Sequence, residues 1–190
     1  MKLTKEQRER LAALSTCAVA DAMKKLGYPC GAAKAVYPIW PGCPQLVGQA
    51  LTVRLGPVGE TKPTAPLYAH AFETARPGDI LVLDNNGYMQ LSCFDSRFAA
   101  KAMACGIAGA VIDSVTRDVG GYRKLGFPVY AKGVVVPGGD DQLMEYENDV
   151  MLSFAQVQVC PGDAVIADEN GVVFLPVEKV DEIAAVAEQL

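Results

Sequence analysis

Residues 80–114, "ILVLDNNGYMQLSCFDSRFAAKAMACGIAGAVIDS", decide the fold. The segment opens on an apolar run and turns at Asn85-Asn86-Gly87. Residues 94–105 carry an apolar stripe at helical spacing, Gly106 stops that helix, and "AGAVIDS" reads as a second buried strand. A helix between two buried strands is a crossover connection, so the strands should run parallel. "FPVYAKG", residues 127–133, reads as a third strand closed by Gly133. In such sheets ligands sit beyond the carboxyl ends of strands, against helix N-termini. Polar residues gather in both places: 84–87 and 113–118 at strand ends, 93–98 at the helix start. Arg117-Asp118 then has two readings. It is a surface ion pair at a strand end, or an anion clamp beside a metal ligand.

Working toward the N-terminus, Thr4 and Gln7 have the spacing of a capping box for a helix to about Leu14. Ser15 or Thr16 caps a second helix, "CAVADAMKKLG", closed by Gly27. A strand is expected at about 47–55, a loop and flexible rim at 56–66, and a helix at about 65–75. His70, the single histidine, falls in that last helix, where a packing or surface role is expected. Mechanisms built on Ser–His or Cys–His dyads, or on several histidines around zinc, would all hang on it.

Working toward the C-terminus, "PGDILVLDNNG" (77–87) returns as "PGDAVIADENG" (161–171) with Pro, Gly, Asp, Asp, Asn and Gly at identical spacing. The shared pattern predicts two equivalent units, each a Pro-Gly turn, a buried strand and an Asn-Gly turn.

The 190 residues suit one domain, 1–190, with a real core: 51% are hydrophobic and 21% charged, which excludes disordered and fibrous classes. A net charge of -5 disfavours nucleic acid as a partner. No apolar run reaches membrane-spanning length and "MKLTKEQRERL" has no signal-peptide pattern, so a cytoplasmic location is expected. Six cysteines without a C-x-x-C pair read as buried free thiols.

Five stretches, "STCAVADAMKKLG", "VGQALTVRL", "ARPGDILVLDNNG", "GIAGAVIDSVTRDVGGYRKLGFPVYAKG" and "VCPGDAVIADENGVVFLP", together resemble the RraA-like family. That family includes the 4-hydroxy-4-methyl-2-oxoglutarate/4-carboxy-4-hydroxy-2-oxoadipate aldolases and the RraA regulators of ribonuclease E. The resemblance implies a compact α/β swivelling domain of β/β/α layers, assembled as a homotrimer or homohexamer. It implies a class II, metal-dependent lyase that cleaves a 2-keto acid, by retro-aldol release of pyruvate or by oxaloacetate decarboxylation. By the same resemblance Arg117 binds the substrate carboxylate and Asp118 is the one protein ligand to Mg²⁺ or Mn²⁺. Backbone N–H groups of Asp95, Ser96, Arg97 and Phe98 bind the same portion of the substrate.

The chemistry requires such parts, because carbon–carbon cleavage beside a 2-keto acid leaves an enolate that needs an electron sink. Arg fixes a carboxylate bidentately, and hard oxygen ligands suit Mg²⁺ or Mn²⁺. A lysine Schiff base is the other sink, but neither Lys101 nor Lys132 has a setting that marks it as activated.

The chain departs from the aldolase pattern where Asp95 and Ser96 replace Gly followed by an acid. Asp95 is accordingly a candidate catalytic acid or a helix cap. Asn85, Asn86 and Ser114 stand where glycines are usual. Two alternatives follow: a non-catalytic RraA-type regulator of a protein partner, or an isomerase or hydratase using the same metal–enolate chemistry. RraA regulators lack the acid after the arginine, and Asp118 is present.

Overall fold

A computed structural model describes residues 2–190. The strands are β1 (Tyr37–Pro38), β2 (Leu46–Pro57), β3 (Asp79–Asp84), β4 (Gly109–Thr116), β5 (Val129–Val134), β6 (Leu143–Asn148), β7 (Leu152–Phe154), β8 (Val157–Val159), β9 (Ala164–Asp168) and β10 (Gly171–Leu175). The helices are α1 (Lys5–Ala12), α2 (Thr16–Lys25), α3 (Ala69–Thr74), α4 (Ser96–Ala104), α5 (Val119–Leu125) and α6 (Val180–Ala187).

The sheet runs β1-β5-β4-β3-β2-β9-β10, with β6 pairing the far end of β2. Its centre, β2 to β5, is parallel, as the crossover predicts; Leu83 pairs with Ile112, and Asp84 with Asp113. β2 is the spine: it pairs β3 over residues 49–54 and, on its other side, β9 then β6. Residues 31–38 join the two ends of the sheet. Ala32 bridges Val173 of β10, and Tyr37 pairs with Ala131 of β5.

Alternation along the parallel strands sorts side chains between two cores. Leu81, Leu83 and Ile112 face the α4–α5 layer with Phe94 and Tyr122. Ile80, Val82 and Val111 face the β7–β8 hairpin, packing with Leu152 and Phe154. A third core joins α1, α2 and α6 to β9 and β10 through Leu11, Val19 and Ile183. This is the β/β/α layering expected.

Local expectations mostly hold, with boundaries moved for visible reasons. The Thr4–Gln7 capping box is formed, but α1 ends at Ala12. Ser15 caps α2, and Gly27 follows with φ +79°. The helix expected at 65–75 shrinks to α3, because Tyr68 takes a left-handed φ of 64° at its start. β2 continues to Pro57, where β6 pairs with it, so the loop begins later than expected. Gly133 lies within β5, which runs on to Val134. All six cysteines are free, but only Cys93 is buried; Cys17 and Cys30 are exposed and the rest half-buried. His70 is exposed beside Asp149, 3.2 Å from its carboxylate. No described helix is long and apolar enough to cross a membrane.

The two copies of the repeat share their turns closely. Gly78 has φ +85° and Gly162 φ +84°, a conformation that favours glycine. Asp79 accepts from Arg76 N–H at 2.8 Å, and Asp163 from Cys160 N–H at 2.7 Å. Asn86 N–H donates to Asp84, and Asn170 N–H to Asp168, at 2.9 and 2.8 Å. Beyond the turns they diverge. β3 is a central parallel strand leading to α4, whereas β9 turns back into the β9–β10 hairpin.

Candidate active site

The helix starts after β3 and β4 are fastened together before any ligand arrives. Thr116 Oγ1, at the end of β4, donates to Phe94 O at 2.8 Å and shares a 2.6 Å hydrogen bond with the Tyr122 hydroxyl of α5. Phe94 stacks on Tyr122 and meets Tyr68 edge-on, with ring centroids 6.1 and 5.7 Å apart. Such aromatic pairs each contribute about 0.5–1.5 kcal/mol beyond area burial. The end of β4 and the starts of α4 and α5 therefore form one rigid unit, and Asp95, Ser96, Arg117 and Asp118 project from it.

Asp95 is the N-cap of α4, accepting from the N–H groups of Arg97 (2.9 Å) and Phe98 (3.4 Å). Its carboxylate also receives Arg97 Nη2 at 2.6 Å and Arg117 Nη2 at 3.1 Å. Burial works against its ionisation, but the hydrogen bonds from Arg97 and Arg117 and the Arg97 N–H outweigh that, holding the carboxyl below its ordinary range. Arg97 bridges onward to Asp140 in the loop after β5. Arg117 lies against Gly138, where an added Cβ would come within 2.5 Å of Nη1. Only a glycine at 138 lets the guanidinium lie on the backbone there.

Asp118 caps α5 in a left-handed conformation, φ 59° and ψ 46°. Asp and Asn adopt this region more readily than other non-glycine residues, because their short polar side chains bond locally, as Asp118 does here. Its carboxylate is exposed and accepts from Ser96 Oγ and from Gly121 N–H. A Cβ at Gly121 would strike Ser96 Cβ at 2.4 Å and Asp118 Oδ2 at 2.5 Å, so this close trio needs glycine at 121. Asp95, Arg97, Arg117 and Asp118 line a cavity of about 500 Å³ whose other wall is Val134, Val135 and Val136.

The predicted residues therefore converge, Phe98 through its backbone N–H alone. The N–H groups of Arg97 and Phe98, expected to meet the substrate, are engaged by the Asp95 carboxylate. Among the described residues no three His, Cys, Asp or Glu side chains converge on a common point. The donor set at the lip, one exposed carboxylate with a serine hydroxyl beside it, fits an ion that keeps several waters, as Mg²⁺ does.

Sequence reasoning missed Asp140, Gly138 and Gly121, which lie in loops or at a helix start and act only through contacts across the fold. It did single out Asn85 and Ser114, and these touch: Asn85 Nδ2 donates to Ser114 Oγ at 3.3 Å, and Ser114 donates to Tyr88 O.

Comparison with known proteins bears on the family and the fold. The model of the RraA-like family, described as Aldolase/RraA, matches residues 16–174. A protein of Albidiferax ferrireducens named "Putative 4-hydroxy-4-methyl-2-oxoglutarate aldolase" is 30% identical, over 84% of this chain and 93% of its own length. Protein DlpA of Legionella pneumophila is 26% identical over 92% of this chain, which spans only 28% of that relative's length. A crystal structure from Streptomyces coelicolor, described as an unusual member of the RNase ES inhibitor RraA protein family, superposes with a TM-score of 0.89 at 28% identity. It covers 99% of this chain and 94% of the other.

Proposed function

The chain belongs to the RraA-like family, and we propose that it is a divalent-metal-dependent lyase acting on a 4-hydroxy-2-oxo acid, releasing pyruvate. One observation carries this reading: Arg117 and Asp118 stand side by side at the lip of one cavity, the first braced by Asp95, the second exposed and bonded by Ser96 and Gly121 N–H. A surface ion pair would need no such brace.

In the proposed reaction the C3–C4 bond breaks. The proton of the C4 hydroxyl passes to a base, a carbonyl forms at C4, and the electron pair of the broken bond becomes the enolate of pyruvate, which takes up a proton at C3. Arg117 holds the carboxylate next to the keto group, so the reacting carbons are fixed relative to Asp118. Asp118, with the Ser96 hydroxyl beside it, would hold Mg²⁺ or Mn²⁺. The ion, when bound, supplies a Lewis acid for the charge that develops on the keto oxygen. Asp95 acts through Arg117: its oxygens are committed to two guanidiniums and two N–H groups, which suits positioning rather than proton abstraction. Val134 and Val136 give the cavity an apolar wall on its open side.

We also propose a homotrimer or homohexamer. Val136 is 88% exposed and Val134 49% exposed at the mouth of the site, a surface a neighbouring copy would cover.

The test is pyruvate release from 4-hydroxy-4-methyl-2-oxoglutarate and from oxaloacetate, with Mg²⁺ or Mn²⁺ and after exhaustive chelation. Turnover that chelation abolishes and either ion restores is the expected result. Undiminished turnover after chelation removes the metal from the reading. No turnover of any 2-keto acid, with partner binding indifferent to changes at Arg117 and Asp118, would leave the regulator function instead.

A further inference from the structure

A second and larger cavity, about 900 Å³, lies on the far side of the segment 137–143 from Arg117. Gly138 backs the Arg117 guanidinium, while the space over Gly139 is filled by Leu91 and Leu143, which line the larger cavity. The two concavities therefore share a wall but no lining residue.

Asp84 stands at the end of β3 on this cavity, 7% exposed. Its counterpart in the repeat, Asp168, uses both oxygens within the protein: Oδ1 takes Asn170 N–H and Thr16 Oγ1, and Oδ2 takes Thr16 N–H at 2.8 Å. Asp84 Oδ1 takes Asn86 N–H in the same way. Its Oδ2 has no hydrogen-bond donor; the nearest cation, Arg54 Nε, is 3.9 Å away. Arg54 itself is turned toward Glu147 and the Met151 carbonyl, 2.8 Å from Nη2. A nearly buried carboxylate oxygen with acceptor capacity to spare thus looks into the cavity.

The rest of the lining says what kind of donor it awaits. The charged lining residues are two of each sign, Arg54 and Lys62 with Asp84 and Asp141. Asn85 and Asn86 add carboxamides, which both donate and accept. One wall is aromatic and pre-formed: the Tyr146 hydroxyl donates to Pro57 O at 2.8 Å, laying the ring across Gly56, where a Cβ would meet it at 2.3 Å. An apolar aromatic wall opposite a carboxylate and carboxamides matches a molecule with C–H faces and hydroxyl edges.

We propose that this cavity is a binding site for a neutral polyol of monosaccharide size, whose hydroxyl groups donate to Asp84 Oδ2 and whose C–H face rests on Tyr146. The volume lies within the range of small-molecule sites. The burial that raises the Asp84 carboxyl above its ordinary range is relieved by a hydroxyl donor. The site is independent of Arg117 and Asp118.

The test is a titration of the ¹⁵N-labelled full chain with D-glucose, D-galactose, D-mannose and myo-inositol, read by amide shifts. At least one should give saturable shifts at Asn85, Asn86 and Tyr146 and none at Arg117 or Asp118. Asp84→Asn should weaken that binding about tenfold, the scale of one hydrogen bond to a charged acceptor. Tyr146→Ala, at an exposed position, should weaken it too, which guards against loss of fold in the first variant. Arg117→Ala should leave it unchanged. The proposal is overturned if none of the four binds, if only the anion D-gluconate binds, or if both cavity variants bind as the parent does.

Discussion

The two copies of Pro-Gly-Asp…Asp-x-Asn-Gly make the same turns, yet their second aspartates live in opposite electrostatic conditions. Asp168 is held below its ordinary range. Burial opposes its charge, but hydrogen bonds from Thr16 and Asn170 win. Asp84 is held above its ordinary range by burial, with Asp113 on the next strand adding to the effect. In the second copy the carboxylate fastens the start of α2 to the end of β9 and serves the scaffold. In the first it stands at the larger cavity, with one N–H donor and Arg54 3.9 Å away. A local pattern dictates a local turn; what the turn is for depends on which element arrives beside it.

The functional and scaffold edges should therefore fail in different assays. The largest effect belongs to the functional edge, in Arg117→Ala. A bidentate, charge-assisted contact contributes ~2–4 kcal/mol, so kcat/KM for the 2-keto acid should fall roughly 30- to 1000-fold. Thermal unfolding should move less, because Arg97 and two N–H groups still hold the Asp95 carboxylate. Steady-state kinetics and a melting curve on one preparation check both halves, and a large loss of melting temperature would dissolve the distinction.

Asp168→Ala should do the reverse. Loss of the Thr16 and Asn170 hydrogen bonds should cost about 2 kcal/mol, lowering Tm by about 4–8 °C in a domain of this size. Turnover measured well below Tm should stay at the parental level.

Asp84→Asn should be the mildest. It keeps the acceptor for Asn86 N–H and removes a charge that burial disfavours, so stability at pH 7 should be unchanged or rise by up to about 1 kcal/mol. Chemical denaturation at fixed pH measures this, and a loss as large as that of Asp168→Ala would refute the contrast.

The acid titration should separate the pair by sign. With a raised folded pKa, Asp84 favours the folded state most below its unfolded pKa, and that contribution fades as pH rises through the folded value. With a lowered folded pKa, Asp168 contributes above its unfolded pKa and loses that contribution as pH falls through the folded value. In carboxyl ¹³C spectra Asp84 should therefore take up its proton before Asp168 on acidification.

The parallel centre of the sheet was legible because its signals are local: buried runs, an apolar helical stripe, and Gly106 as a stop. The caps at Thr4, Ser15 and Asp95 were legible for the same reason, since each side chain serves an N–H two or three residues away. Arg117 and Asp118 could be picked out as neighbours in the chain. Their environment could not. The bracing of Arg117 joins position 117 to 95 and 138, and Arg97 joins 95 to 140, through contacts that no periodicity records. The left-handed start of α3 escaped notice because Tyr68 is neither Gly nor Asn, and its conformation is imposed by burial among Phe72, Phe94 and Phe98.

The seam formed by residues 31–38 also constrains how the chain is made. Ala32 must wait for Val173 and Tyr37 for Ala131, partners far downstream in the order of synthesis. A nascent chain on the ribosome can assemble β2 to β5 and the α4–α5 layer while the second copy of the repeat is still being translated. Until β9 and β10 emerge, one side of β2 at residues 46–49 stays unpaired, and such edges invite pairing with other chains. The interval before β9 and β10 emerge is thus the one in which this edge of β2 stands open to pairing with another chain.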